Sequence, residues 1–398
     1  MNFVFISPQF PKTYWNFCDR LRRNGVTTLG VGDTPYDQLD ERLKNALVEY
    51  YKVDNMEDYD QVFRAVAYFS FRYGKIDWLE SNNEYWLAQD ARLRTDFHIT
   101  SGVDSQGIES FKSKAAMKPF YKAAGVPTAR HHQVGDKQAA LDFIELVGYP
   151  LIAKPNIGVG ANDTYRIDNL ADFEAFYNHK PNMPYIMEEF ITGDIYSYDA
   201  ITDSSCNIIF ETMTCWPPSI MDIVNKQLDL HYFTAGLPVP EKFSRVGRAT
   251  VKAFGVKSRF VHMEFFCLTK AKKGLGEVGD FVGLEVNMRP AGGYTPDMFN
   301  YAGSLDVYQI WADMVAFNES HQDMAKEKFF CCYASQRDGH TYRHTHEEIT
   351  ARYGENMVMC ERIPDILSAA MGNQMYTVKL KTREQVDEFV AFVTERKE

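Results

Sequence analysis

Nothing in this chain approaches the ~20 consecutive apolar residues that a membrane-spanning helix needs, so no membrane partner is expected. The opening MNFVFISPQF has no basic segment ahead of its short apolar run, and a secretory leader is not expected. Its seven cysteines form no Cys-x-x-Cys pair, and only Cys331 and Cys332 are adjacent. Scattered thiols suit a reducing compartment better than a disulfide frame, which points to the cytoplasm. A basic surplus is missing as well: the net charge is -11, and no segment supplies the concentrated cationic face that nucleic acid requires. A negatively charged ligand must therefore be held by local chemistry. The first strand-to-helix turn reads Ser7-Pro8-Gln9-Phe10-Pro11 and lacks Gly-x-Gly-x-x-Gly, so dinucleotide binding is not expected there.

What is present is a globular composition, 45% hydrophobic over 398 residues, enough for two to four folding units. Strand-like Asn2 to Ser7, a helix from Trp15 to Arg23 and a strand from Val26 to Val31 open a βαβ pattern. Val48 to Val53, a helix across Asp58 to Tyr73, Ile76 to Leu79 and a helix near Tyr85 to Asp96 continue it, predicting a parallel sheet up to about Ser101. From Ser110 the character changes. Ser113 is a cap candidate for a helix that begins at Lys114 and meets a Gly125-Val126-Pro127 stop. Pro119 inside that helix predicts a kink or a shorter helix.

A helix over Asp136 to Val147 leads into a strand, Leu151 to Lys154, and then into a glycine-bearing loop before Tyr165 to Ile167. Backbone N–H groups of such a loop can wrap phosphate oxygens, with Lys154 at its base as the point charge, although a plain hairpin turn has the same composition. Strands are predicted at Met183 to Met187, Tyr196 to Ile201 and Ile208 to Thr214, and helices at Asp172 to Asn178 and Phe243 to Phe254. Trp216 to Pro240 reads as irregular and aromatic.

The most informative stretch is Gly283 to Gly293, GLEVNMRPAGG. Glu285, Asn287 and Arg289 alternate with apolar Leu284, Val286 and Met288, which places the polar three on one strand face and the apolar three on the buried one. Phe260 to Phe266 alternates in the same way, and a hairpin centred on Gly274 and Leu275 puts Glu264 directly opposite Glu285. Like charges so placed destabilise a sheet; at ~4 Å and an effective dielectric near 20 the repulsion is about 4 kcal/mol. A divalent cation reverses that sign, and carboxylate and amide oxygens suit Mg2+ or Mn2+ rather than zinc.

In order along the chain, these parts resemble the ATP-grasp superfamily, most nearly its carboxylate–amine ligase, biotin carboxylase and carbamoyl-phosphate synthase branch. The resemblance runs from about Ser110 to about Phe317, through the helix before AGVP, GYPLIAKP, the glycine loop, EEF, MEFF and EVNMRP. It implies an α/β (α+β) fold: a Rossmann-like pre-ATP-grasp domain over 1–105, a small lobe over 106–187, a large lobe over 188–318 and a C-terminal α/β extension over 319–398. It implies ATP and Mg2+ (or Mn2+) as cofactors, with Lys114 and Lys154 on the phosphates. Gly158 and Gly160 belong to a loop closing over them, and the backbone of Glu188, Glu189, Phe190 and Ile191 to a hinge that grips adenine. Glu264, Glu285 and Asn287 match the metal ligands, and Arg289 the arginine that holds an acyl phosphate or a substrate carboxylate, with Gly292, Gly293 and His231 as further substrate contacts. Two features depart from the family: Ile195 stands where many amine ligases have a ribose-binding acid, and the glycine loop is less glycine-rich than in biotin carboxylase.

The activity implied is ligation of a small carboxylate, such as an amino acid, to an amine through an acyl phosphate, in which no serine or cysteine nucleophile is required. A bicarbonate-using carboxylase or carbamoyl-forming enzyme is the alternative within the fold, and a non-catalytic ATP-binding subunit the alternative outside it. Partners are small molecules, with the C-terminal segment available as a lid or homodimer contact. Among rival signals, His344-Thr345-His346-Glu347 has spacing for a metal pair, His131-His132 reads as a surface pair, Cys331-Cys332 as buried apolar residues, and Lys226, His231 and Tyr232 as a segment facing substrate.

Overall fold

The computed structural model describes residues 1–397 except 159–162, 218–227 and 237, together with all their side chains but that of Ile366. Three sheets carry the chain. The first is wholly parallel, in the order β3-β2-β1-β4, from β1 (Asn2–Ile6), β2 (Thr27–Gly32), β3 (Glu49–Lys52) and β4 (Trp78–Glu80). Phe3, Val4, Phe5 and Ile6 are fully buried in succession, the mark of a strand covered on both faces. The helix Tyr59–Tyr73 starts where Asp58 accepts the N–H groups of Asp60 and Gln61, satisfying donors that the first turn leaves free.

The second sheet is antiparallel, ordered β5-β8-β6-β7, from β5 (His131–Val134), β6 (Leu151–Pro155), β7 (Tyr165–Ile167) and β8 (Tyr185–Glu189). Helices Lys137–Val147 and Leu170–His179 bury Phe143, Ile144, Phe173 and Phe176 against it. His131 lies exposed at its edge, but His132 is half-buried and stacks on Phe143, so only the first fits the expected surface pair.

The third sheet has eight strands in the order β13-β12-β9-β10-β11-β14-β16-β15. They are β9 (Gly193–Thr202), β10 (Ile208–Trp216), β11 (His231–Ala235), β12 (Arg259–Leu268), β13 (Phe281–Asn287), β14 (Phe330–Gln336), β15 (Met357–Arg362) and β16 (Gln374–Leu380). The C-terminal segment extends this sheet rather than standing beside it, because β14 pairs with β11 and brings β16 and β15 with it. Division into units at about 105, 187 and 318 is a proposal, and the last of these boundaries lies between strands of one sheet. Among the described residues no helix is long and apolar enough to cross a membrane.

One expectation fails, and so does the shorter-helix half of another. His231–Ala235, expected to be irregular, is a central strand, since its aromatic and β-branched residues fit the gap between β10 and β14. The helix Lys114–Ala123 is not shortened at Pro119. Proline removes one intrahelical donor there, but the helix packs Met117 and Tyr121 into the core against β13 and the helix Glu241–Ala253, and that burial holds it.

Gly283 marks how tightly this helix meets the sheet. Its N–H donates to the Pro127 carbonyl at 2.8 Å, and a Cβ there would stand 2.4 Å from a ring carbon of buried Tyr121. Gly283→Ala is expected to lower stability by about 1–3 kcal/mol through overpacking, read as an earlier midpoint in urea unfolding.

Candidate active site

A cleft of about 470 Å3 opens between the second and third sheets. One wall carries Ile152, Lys154, Glu188 and Ile191, and the other His262, Glu264, Phe266, Glu285 and Asn287. Trp216, Tyr232, Arg289, Gly292, Gly293 and Met371 close its far end.

The paired strands β12 and β13 set the floor. Glu264 is the cross-strand partner of Glu285 and His262 that of Asn287, so the predicted register holds. A bulge follows: Phe265 pairs with Gly283, which leaves Leu284 unpaired and turns it into the cleft instead of the core. Strict alternation could not foresee this.

The facing carboxylates are each held by a cation of the protein. Lys114 Nζ lies 3.0 Å from Glu285, and also donates to the Gly158 carbonyl at 3.1 Å. His262 lies between Glu264 at 3.2 Å and the buried Asp199 at 2.7 Å. Burial pushes His262 down, but Asp199 and Glu264 outweigh it and raise it to about 9, so both ring nitrogens donate at neutral pH. Ser197 donates to Asp199 at 2.7 Å and receives the Trp216 indole N–H at 3.2 Å, which fixes the carboxylate that fixes the imidazole.

Opposite them, Glu188 is buried between two lysines, Lys154 at 2.7 Å and Lys118 in close contact. Burial raises the Glu188 carboxyl, yet Lys154 and Lys118 outweigh it and hold it at about 2. Lys118 is a cleft-side cation that the sequence reading missed; only its position one helical turn after Lys114 signalled it. Glu189 turns its carboxylate to Arg130 at 2.7 Å and Lys272 at 3.1 Å, and Lys272 also reaches the Phe190 carbonyl at 2.6 Å, so this strand end is braced from behind.

At the far end Arg289 donates to the Pro290 carbonyl at 2.9 Å and faces Glu84 at 3.7 Å. Glu84, from the loop after β4, is buried, and the oxygen that faces Arg289 makes no hydrogen bond among the described residues. Burial raises its carboxyl above the usual range. It was invisible in the sequence because it reaches the site from a separate sheet. Gly292 has open space around it, whereas Gly293 lies against Met371 of the helix Asp365–Met371. Tyr232 stacks on Trp216 with ring centroids 4.3 Å apart.

His231 is a correction. Strand alternation turns it away from Tyr232 to the other face of the sheet, near Arg383 and Asp387, so it does not line the cleft. Gly160 and Lys226 lie outside the described residues. His344 stacks on Phe392 and bonds to Glu395, Cys331 and Cys332 are buried in the core, and no group of three or more His, Cys, Asp or Glu side chains is set for a metal among the described residues.

No protein-family model matches the chain. Over 244 residues it is 24% identical to an L-arginine-specific L-amino acid ligase of Bacillus subtilis, a match spanning 58% of this chain and 58% of that protein. The chain thus matches little more than half the length of that relative. Among solved structures it superposes on the L-amino acid ligase of Bacillus licheniformis with a TM-score of 0.73 at 14% identity, over 98% of this chain and 95% of that one. The chain has an ATP-grasp fold.

Two further ATP-grasp structures agree across the whole length. The ADP complex of an N5-carboxyaminoimidazole ribonucleotide synthetase gives a TM-score of 0.68 at 14% identity, over 98% of this chain and 94% of that one. The biotin carboxylase domain of the Hydrogenobacter thermophilus 2-oxoglutarate carboxylase, a dimer with MgADP, ADP and bicarbonate, gives 0.67 at 15%, over 97% and 88%. In this ATP-grasp cleft the donor set of Glu264, Glu285 and Asn287 is all oxygen and too small for a closed cage, which fits a hard divalent cation that takes its remaining ligands from phosphate and water.

Glu188 supplies a test of the charge layout. Glu188→Gln leaves Lys118 and Lys154 buried together without a counter-charge, and the expected loss is about 3–5 kcal/mol, measured by denaturant unfolding. Because the folded carboxyl sits at about 2 and an unfolded glutamate near ~4.3, its contribution is present at neutral pH. That contribution is expected to fade as pH falls from ~5 toward ~2, and the slope of melting temperature against pH over that window should flatten in the variant.

Proposed function

We propose that this chain is an ATP- and Mg-dependent ligase that activates a small carboxylate as an acyl phosphate and joins it to an amine. The observation that carries the reading is the facing pair Glu264 and Glu285 on the floor of an ATP-grasp cleft, with Lys114, Lys154 and Arg289 around it. A carboxylate is a poor electrophile, so the γ-phosphoryl group must be transferred to it before an amine can attack. That transfer asks the protein for positioning and charge neutralisation rather than a covalent intermediate.

In this reading Lys114 and Lys154 would exchange their carboxylate partners for phosphate oxygens beside Gly158. The strand end Glu188 to Ile191 offers its backbone to adenine. Glu264, Glu285 and Asn287 would hold Mg2+ or Mn2+, which would supply Lewis-acid stabilisation of the phosphate charge. Arg289 holds the anionic group of the acid and then of its acyl phosphate, beside the open backbone of Gly292 and Gly293. The amine attacks the acyl carbon and phosphate leaves.

The aromatic and aliphatic far wall, Trp216, Tyr232, Leu230 and Met371, favours an organic acid with an apolar body, and the similarity to L-amino acid ligases favours an amino acid. A bicarbonate-using enzyme is the second reading, favoured by the likeness to the biotin carboxylase domain and served equally by Arg289. A homodimer and a cytoplasmic location belong to the same proposal.

An ADP-release screen over pooled carboxylates and amines, with bicarbonate as a separate arm, tests it. Release is expected to need an organic acid and an amine together, and to stop when EDTA removes the divalent ion. Glu285→Gln is expected to lose about 100-fold in kcat, the scale of removing a group that stabilises developing charge. Unchanged turnover in that variant would sink the metal assignment, and ADP release with bicarbonate alone would move the reading to the second one.

A further inference from the structure

Away from the cleft, the fold buries a charge cluster that the ligase reading does not use. Glu80, at the end of β4, receives Nη2 of Arg94 and Nη2 of Arg259, each at 2.8 Å, and none of the three is more than 3% exposed. Arg94 is fully engaged, with Nε on the Leu79 carbonyl at 3.0 Å and Nη1 on that of Val103 at 2.8 Å. Arg259 is not. Its Nη2 also reaches the Met288 carbonyl at 2.9 Å, but Nε and Nη1 have no partner among the described residues. An unmet buried donor is costly, more so on a charged group.

The cluster also lacks negative charge. Asp90, wholly buried nearby, takes the Ser81 N–H and hydroxyl, and burial together with Glu80 pushes its carboxyl up to about 7. Two guanidiniums bond to one carboxylate, that of Glu80. Such an excess of buried positive charge is what an anion would offset.

Arg259 lines a cavity of about 270 Å3 whose walls come from Thr100 to Val103, Ser204 and the Gly255–Ser258 loop, with no acidic side chain among them. Gly102 marks the point where cavity and arginines meet. Its φ is +117°, and a Cβ there would stand 2.8 Å from Arg94 Nε and 3.2 Å from Arg259 Nη1. The missing side chain leaves room beside the unpartnered Nη1 of Arg259, and exposed Lys257 adds a cation to the cavity wall.

We propose that this cavity is a second ligand site, separate from the cleft, which takes a small oxyanion of phosphate or carboxylate chemistry on the unpartnered Nη1 of Arg259, with Lys257 as the outer cation. The site communicates with the cleft through one residue: Arg259 holds the Met288 carbonyl, and Met288 precedes Arg289. An occupant that fixes Arg259 thereby fixes the turn that aims Arg289. The assignment stands whether or not the cleft proves to be a ligase site, because none of its residues belongs to that machinery.

Titration calorimetry on the full chain with inorganic phosphate, and separately with succinate, tests it, alongside crystals soaked in selenate and read by anomalous diffraction. Saturable binding of one probe is expected, weakened by about tenfold or more in Lys257→Glu, with a selenate peak beside Gly102. Arg259→Lys, which keeps a charge toward Glu80 but removes the Nη1 donor, is expected to abolish binding. The two titrations decide which oxyanion the site accepts. No binding of either probe, an affinity unchanged in Lys257→Glu, or selenate only in the cleft overturns the proposal.

Discussion

Two carboxylates facing each other across β12 and β13 are the constraint on which the rest of this molecule depends. Left alone, Glu264 and Glu285 would repel by several kcal/mol at contact. The fold answers with Lys114 from a helix that precedes the second sheet, and with His262 from the same strand, itself held by Asp199. The helix Lys114–Ala123 is thus tied to the eight-stranded sheet by charge as well as by Tyr121 packing on Gly283. Repulsion that in sequence pointed to a metal is met first by protein cations, so in the proposed reading an incoming phosphate and metal would exchange partners with Lys114 and His262.

That exchange gives the cleft its two characters. On the small-sheet side, Lys118, Glu188 and Lys154 form a buried set of two lysines on one carboxylate, whose surplus positive charge would meet the proposed phosphate. At the far end, stacked Trp216 and Tyr232 and the Met371 side chain supply apolar surface, with Arg289 and Glu84 as its charged pair. The first sheet supplies Glu84, the second the lysine base, and the third the carboxylate floor and, through its C-terminal strands, the support for Met371. No single unit carries a complete site.

The carboxylate floor was legible because it is local. Alternation in GLEVNMRP and in FVHMEFF, with the near-symmetry of the connection about Gly274, suffices to place Glu264 against Glu285. The parallel opening sheet was legible for the same reason, since its strands and helices follow one another with the expected periods. His231–Ala235 was not, because a five-residue strand between two partners distant in sequence has little periodicity of its own. Leu284 was misplaced by a bulge that depends on how β13 meets β12, and His231 by a strand assignment that was missing.

The sequence by itself determined the pattern of residues that repeat with the pleat or the helical turn: the polar face of β13, the capped helices, and the order of parts that resembles the ATP-grasp superfamily. Tertiary structure decided who meets whom at long range. It set Lys118 and Lys154 on one buried carboxylate, brought Glu84 from the first sheet to Arg289, left Arg259 short of partners behind Met288, and carried the C-terminal strands into the large sheet. Period and propensity act over a few residues, whereas the pairing of buried charges depends on which distant surfaces the chain packs together.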